Sequence, residues 1–376
     1  MKLLLATHRL EPLGGTETYL LTVAEHLGRL GHEAVLHAPA LGQAAEVARA
    51  RGLVVAEAAE LERPDAVLAQ DGASSLELAE RFPQVPQVFV AHSPVHDLQL
   101  PPQVPGLVHA AVALNDVVAG RLRAMAAAPH VVRLRQPIDL RRFAVKAPPS
   151  TSLTHALVLG NYLRGERFAI LEYALAELGV RLERRGRHGT PTERPEEAMA
   201  RADLVVGHGR SAFEGMACGR PVLVYDQWGG DGLVDEPRYP AFEANGFAGT
   251  GGVEDPAGLQ LETLRAELQA WRPELGEIGR GLAVRNHSAA AHARQLVELC
   301  REAVPAAQAP DSAAEMARLI RAAHQWEARA GELDMEIERL RATHADLSRQ
   351  LHELRTSRRH RLGTALMRPA DALRRH

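Results

Sequence analysis

From Met1 to about residue 145, short apolar runs alternate with stretches in which apolar residues return every three or four positions. Lys2–Ala6, His32–His37, Leu53–Ala56, Ala66–Ala69, Val88–Ala91 and Ala111–Leu114 read as strands. Between the first two, Leu20, Val23, Ala24, Leu27 and Leu30 mark one face of a helix over about Thr16–Leu30. Short buried-type strands alternating with helices are the signature of βαβ units on a parallel sheet. Pro148 and Pro149, set among Ser and Thr, punctuate the chain. A second series follows, with strands at His155–Leu159, Val180–Arg184, Asp203–Gly207 and Pro221–Tyr225. Its helices fall at Arg167–Leu178, Glu196–Arg201 and Ala212–Cys218. The two series predict an α/β protein of two Rossmann-like domains, 1–147 and 148–304, facing across a cleft. Ligands in such folds sit at the carboxyl ends of the strands.

Beyond a Pro-containing linker at 305–310 the period changes. From Leu319 to Leu354 apolar residues recur at alternating spacings of four and three, with His344 the polar exception. Such a seam predicts a coiled coil over 311–356, about 54 Å long for the repeat itself, and a homo-oligomer held through 319–354. The remaining residues, 357–376, place Leu362, Leu366, Met367 and Leu373 among arginines. A basic amphipathic segment of this kind lies on anionic bilayers, so peripheral membrane contact is expected through 357–376.

Composition narrows the picture. A length of 376 residues suits two domains of about 150 residues plus an extension. Aromatics make up only 4%, which leaves the cores to Leu, Val and Ala. The net charge of -3 is unevenly spread, because Arg355–His376 holds seven Arg and one Asp and the remainder is acidic. No nucleic-acid partner is expected, since that function needs positive charge over a folded face. Cys218 and Cys300 are too few for a disulfide framework or a metal cluster. The four-residue apolar run of MKLLLATHRL is short for a signal peptide, and no window is apolar enough for a membrane span. The expected location is cytoplasmic, at the inner face of the membrane where the tail engages it.

Two motifs carry candidate chemistry. In GGTETYLLTVAEHLGRLGHEAVLHAP, residues 14–39, Gly14 and Gly15 allow a tight turn after a strand. The helix that begins near Thr16 then aims its free N–H groups at the cleft, where a phosphate or sugar hydroxyl suits them. In VVGHGRSAFEGMACGRPVLVYD, residues 205–226, a strand runs through Gly207, a turn contains His208 and Gly209, and a helix starts near Ser211. The N–H groups of Arg210 and Ser211, the helix dipole and the Arg210 guanidinium suit a diphosphate. Glu214, in an otherwise apolar helix, can accept hydrogen bonds from two vicinal hydroxyls such as those of a ribose.

The order and spacing of these segments resemble retaining glycosyltransferase family 4. Residues 14–39 are similar to the start of its acceptor domain, and SAFEGMACGRPVLVYD to its donor-site helix and strand. RQPIDLRRF, residues 135–143, resembles its interdomain segment. VALNDVVAGRL, residues 112–122, resembles its last acceptor-domain strand and helix, with Asn115 in place of the usual Ser. The resemblance covers most of residues 1–300. It implies a GT-B fold, a nucleotide-diphospho-sugar donor, retention, and no metal or cofactor. It matches Glu214 to the ribose-holding carboxylate, His92 of VFVAHSPVHD to a histidine of the sugar site, and Arg164 of NYLRGERF to a diphosphate ligand. One departure stands out: the second carboxylate usual eight residues before the ribose-binding Glu is Val206 here, with His208 the nearby polar group. Some members with this compact GRSAFE-type loop also carry a segment like YDQWGGDGLV, residues 225–234.

The expected enzyme is a family-4-like hexosyltransferase of cell-surface polysaccharide synthesis acting on a saccharide or lipid-linked acceptor. His92 and His208 are the expected catalytic residues, Arg164, Gly209, Arg210, Ser211 and Glu214 the donor site, and Gly14, Gly15 and Thr16 the acceptor or sugar loop. The alternatives are a catalytically silent GT-B scaffold acting through its coiled coil, which Val206 favours, and a GT-B sugar-nucleotide epimerase, which would need further acid and base carboxylates.

Overall fold

The computed structural model describes residues 1–125, 128–227, 229–249, 261–305 and 313–356. The first series folds as β1 (Lys2–Ala6), α1 (Gly15–Arg29), β2 (Glu33–His37), α2 (Gln43–Ala50), β3 (Val54–Ala56), β4 (Ala66–Ala69) and α3 (Gly72–Arg81). It continues through β5 (Gln87–Ala91), β6 (Ala110–Ala113), α4 (Asp116–Arg123) and β7 (His130–Arg133). All seven strands are parallel, in the order β3-β2-β1-β4-β5-β6-β7. The two-residue period of β1 divides its side chains between two cores. Leu3 and Leu5 pack with Leu20, Leu21 and Leu27 of α1, while Leu4 and Ala6 pack on the opposite face with Val67 and Phe89. Both faces are covered, as a parallel sheet requires.

The second series runs β8 (His155–Leu159), α5 (Gly165–Glu177), β9 (Arg181–Arg185), α6 (Pro195–Met199), β10 (Leu204–Gly207), α7 (Arg210–Ala217) and β11 (Val222–Asp226). Then come β12 (Gly229–Leu233), α8 (Tyr239–Ala244), α9 (Leu261–Gln269), α10 (Glu274–Asn286), α11 (Ala289–Glu302) and α12 (Ala313–Thr356). The sheet order is β12-β11-β10-β8-β9, with β12 antiparallel at one edge. No apolar alternation announces β12, whose sequence is GGDGL.

Two segments join the halves side by side. The chain crosses once at 135–143 and returns at 287–289, where the Ile138 amide donates to the His287 carbonyl at 2.8 Å and the Ala289 amide to that of Ile138 at 3.1 Å. Ser288 then caps α11 by accepting from the Ala291 amide. Although α11 follows the second series, its Ala293, Leu296, Val297 and Cys300 complete the core of the first sheet against α1. Ala317 at the start of α12 packs with Ala73 and Leu76, and Arg321 pairs with Glu77 at 2.6 Å. The described residues 322–356 belong to a unit of their own. Among the described residues no helix is long and apolar enough to cross a membrane. The basic tail expected at 357–376 and most of the linker at 305–310 lie outside the described residues.

Candidate functional site

At the carboxyl ends of both sheets lies a cleft of about 710 Å³, counting the solvent at its mouth. On one wall Gly14 caps α1 and Gly15 opens it. The Glu17 carboxylate folds back to accept from the Gly14 amide at 3.0 Å, and a side-chain carbon on Gly14 would meet that oxygen at 2.7 Å. Thr18 lines the cleft from the same helix, whereas Thr16 does not line it.

The opposite wall is β8, β10 and the start of α7. Gly209, at φ 50° and ψ -127°, adopts a backbone conformation reserved for glycine. Its amide donates to the Phe247 carbonyl at 2.7 Å, which holds the turn and aims the first amides of α7. Arg210, Ser211 and Glu214 all face the cleft. Glu214 is only 4% exposed, and Arg210 Nε lies 2.7 Å from its Oε1. The same guanidinium donates to Thr22 Oγ1 of α1 at 3.1 Å and to the Pro137 carbonyl at 3.4 Å. Arg210 therefore spans both walls and the crossing segment. Burial pushes the Glu214 carboxyl up and the Arg210 guanidinium down, and their mutual attraction opposes both shifts.

Neither His208 nor His92 is among the residues lining the cleft, and the two occupy different settings. His208 Nδ1 lies 2.8 Å from Asp226 Oδ2 at the end of β11, with Tyr162 edge-on to its ring. His92, after β5, does not line the cavity. It stacks edge-on to Tyr19, its Nε2 is buried with no hydrogen-bond partner among the described residues, and burial, with the charge of Arg210, pushes its pKa down to about 3. The Tyr19 hydroxyl donates to His292 Nε2 at 2.7 Å and the His292 Nδ1–H to the Arg135 carbonyl at 3.1 Å. A matching relay runs from the Tyr239 hydroxyl through His287 to the Gln136 carbonyl. These two relays clamp the crossing segment.

Arg164 is at the N-cap of α5, and its amide donates to Gln227 Oε1 at 3.0 Å; it is not among the residues lining the cleft. The lining cations besides Arg210 are two that sequence reasoning missed, Arg51 from the end of α2 and Arg142 from the crossing segment. Arg142 donates to Glu196 at 3.1 Å and to the Glu193 carbonyl at 2.7 Å. It is presented by an aspartate turn, in which Asp139 accepts from the amides of Arg141 and Arg142 and pairs with Arg29 at 3.1 Å. Nothing local in RQPIDLRRF distinguishes Arg142 from its neighbour Arg141. Arg51 is the C-cap of an ordinary amphipathic helix. Arginines from three separate segments, two helix N-termini and a buried carboxylate make a site for a polyanion that also presents hydroxyls.

No protein-family model matches this sequence, and no curated protein matches it. Solved structures do. Anabaena Alr3699/HepE in complex with UDP and glucose is 14% identical, with 79% of this chain and 98% of that one covered at a TM-score of 0.56. Sucrose-phosphate synthase from Thermosynechococcus elongatus is 14% identical over 80% and 98%, TM-score 0.52. A mutant of S. aureus TarM in complex with fondaparinux, alpha-GlcNAc-glycerol and UDP is 10% identical over 80% and 100%, TM-score 0.51. At such identities the likeness establishes the fold, which is GT-B, followed by a long C-terminal helix.

Proposed function

We propose that this chain is a glycosyltransferase of the hexosyltransferase, family-4-like type. In this reading it moves a sugar from a nucleotide-diphospho-sugar to a saccharide or lipid-linked acceptor in cell-surface polysaccharide synthesis, with retention and without a metal. The observation that carries the proposal is Glu214, a buried carboxylate beside Ser211 and Arg210 in a cleft faced by Gly14 and Gly15. A ribose would take both oxygens of Glu214, and the diphosphate would lie between the amides of α7 and the cations Arg210, Arg51 and Arg142. Two of the solved structures of this fold hold UDP, which supports a nucleotide donor. Fixed cations aimed at a departing diphosphate stabilise charge where it develops in the transition state. His208, two residues beyond the position that lacks a carboxylate and paired with Asp226, serves the sugar end. His92, buried and held neutral against Tyr19, supports the site through packing rather than by touching the sugar. Front-face attack by the acceptor hydroxyl, with the leaving phosphate taking its proton, gives retention. Arg164, at the N-cap of α5, supplies a further cation for the diphosphate in this reading.

One observation favours the second reading, a catalytically silent scaffold. Val206 is wholly buried in the core with Val158, Leu223 and Tyr225, and it does not line the cleft. Calorimetric titration of UDP, GDP and dTDP into the wild type and Glu214→Ala tests both. Binding of one nucleotide, weakened at least about tenfold by the substitution, supports the donor site. Binding without sugar transfer to any acceptor supports the scaffold, and no binding at all sinks the glycosyltransferase.

A further inference from the structure

The long helix α12 carries an apolar face that its own unit does not cover. Within residues 322–356 Trp326, Leu333, Ile337, Leu340, Leu347 and Leu351 are each between 45% and 76% exposed. They lie on one stripe, because spacings of three and four keep them on the same side over about 38 Å of helix. Helices gain most of their stability from packing such a stripe, not from intrinsic propensity. The question is what packs on it.

The flanking charges answer that. With Trp326, Leu333, Leu340 and Leu347 at the d positions and Ala330, Ile337, His344 and Leu351 at a, the g positions hold Arg329 and Glu336 and the e positions Asp334 and Arg341. In a parallel, in-register pair each g residue faces the e residue five positions later on the other helix. Arg329 then meets the second copy's Asp334, and Glu336 meets the second copy's Arg341. Both pairs are attractive, and each occurs twice. An antiparallel pair of the same overlap sets g against g and e against e. It keeps Asp334 with Arg341 but leaves Arg329 opposite Gln350 and Glu336 opposite Thr343. Leucine at three successive d positions, with the β-branched Ile337 at a, is the choice that favours two strands. In the single helix these charges make only exposed pairs one turn apart, such as Glu336 with Arg339 and Arg341 with Glu338, which are worth little and yield readily.

We infer that residues 323–351 are a docking surface for a second copy of this chain, joined as a parallel, in-register, two-stranded coiled coil. This arrangement sends both copies of the arginine-rich segment that follows out of the same end of the coil. An anionic surface would therefore meet two basic segments at once, which raises avidity without any new contact. The inference is independent of the glycosyltransferase reading, since it concerns neither the cleft nor its ligands.

The test uses the full chain. Sedimentation equilibrium of the wild type is expected to give twice 40.8 kDa. Leu333→Cys and Leu347→Cys, oxidised separately, are each expected to give a covalent dimer, because in-register parallel helices bring each position to its own copy. Both cysteines already present are buried, with thiols pushed up to about 12, and do not compete. Reversing Glu336 to Arg or Arg341 to Glu alone is expected to weaken the dimer about tenfold, and the double exchange to restore it. A monomer or trimer mass overturns the inference. So does cross-linking confined to a mixture of Leu333→Cys with His344→Cys, the pair that an antiparallel coil would juxtapose.

Discussion

Arg210 and Glu214 are both withdrawn from water, and the attraction between them opposes the shift that burial imposes on each. Arg210→Gln leaves a buried carboxylate without its partner, which costs about 3–5 kcal/mol of stability. Replacing both residues with apolar ones of similar volume should recover most of that loss, as urea denaturation of the two variants would show. The buried imidazoles respond to pH in one direction. His92 and His292 are pushed down to about 3 and His287 to about 4, chiefly by burial, while the unfolded chain titrates near 6.5. Their contribution is complete above pH 6.5 and is lost as pH falls toward 4, because the unfolded state takes up protons that the folded state refuses. The expected slope is about 1.4 kcal/mol per pH unit for each imidazole, and His292→Gln should flatten it by one share when denaturation is followed from pH 7 to pH 5.

Short segments set the geometry of the site through their backbones. Gly209→Ala forces a side chain into a conformation that only glycine adopts freely. The strain costs about 1–3 kcal/mol. Because the same turn aims the first amides of α7, nucleotide binding should weaken along with the melting temperature. Asp139 plays the equivalent part in the crossing segment. Burial alone would push its carboxyl up, yet His26, the Arg141 amide and Arg29 hold it well below the usual carboxylate range. Asp139→Asn should lower stability by about 3 kcal/mol and release Arg142 from the cleft wall. Nucleotide affinity would then fall more than it does in Arg141→Ala, which removes a neighbouring cation that does not line the cleft.

At the scale of the two sheets, α11 acts as a stitch. It follows the second series but completes the core of the first, so the halves share structure rather than merely adjoin. Leu296→Ala should cost about 2–5 kcal/mol and lower the transition of both halves together in calorimetry, without splitting it in two. A cleft walled by arginines from three segments also predicts a salt response. The affinity of a nucleoside diphosphate should fall steadily with ionic strength, while that of the uncharged nucleoside should not.

The elements that obey a local period were legible in the residues alone: β1, β4 and β8 to the residue, the helix after Gly14 and Gly15, and the heptad stripe of α12. The burial of Glu214 at the cleft was legible too, because one carboxylate in an apolar helix is conspicuous. A polar edge strand such as β12 left no such mark, since it satisfies its backbone without an apolar face. The pairing of Arg210 with Thr22 spans 188 residues, and the approach of Arg51 and Arg142 to one cleft depends on how the two sheets meet. Local periodicity reports which face of an element avoids water, and that was enough to determine most strands and helices and the fold class. It carries no information on which distant surfaces meet, so only the folded chain decided which arginines face the cleft, that Glu214 is already paired, and that α11 returns to the first sheet.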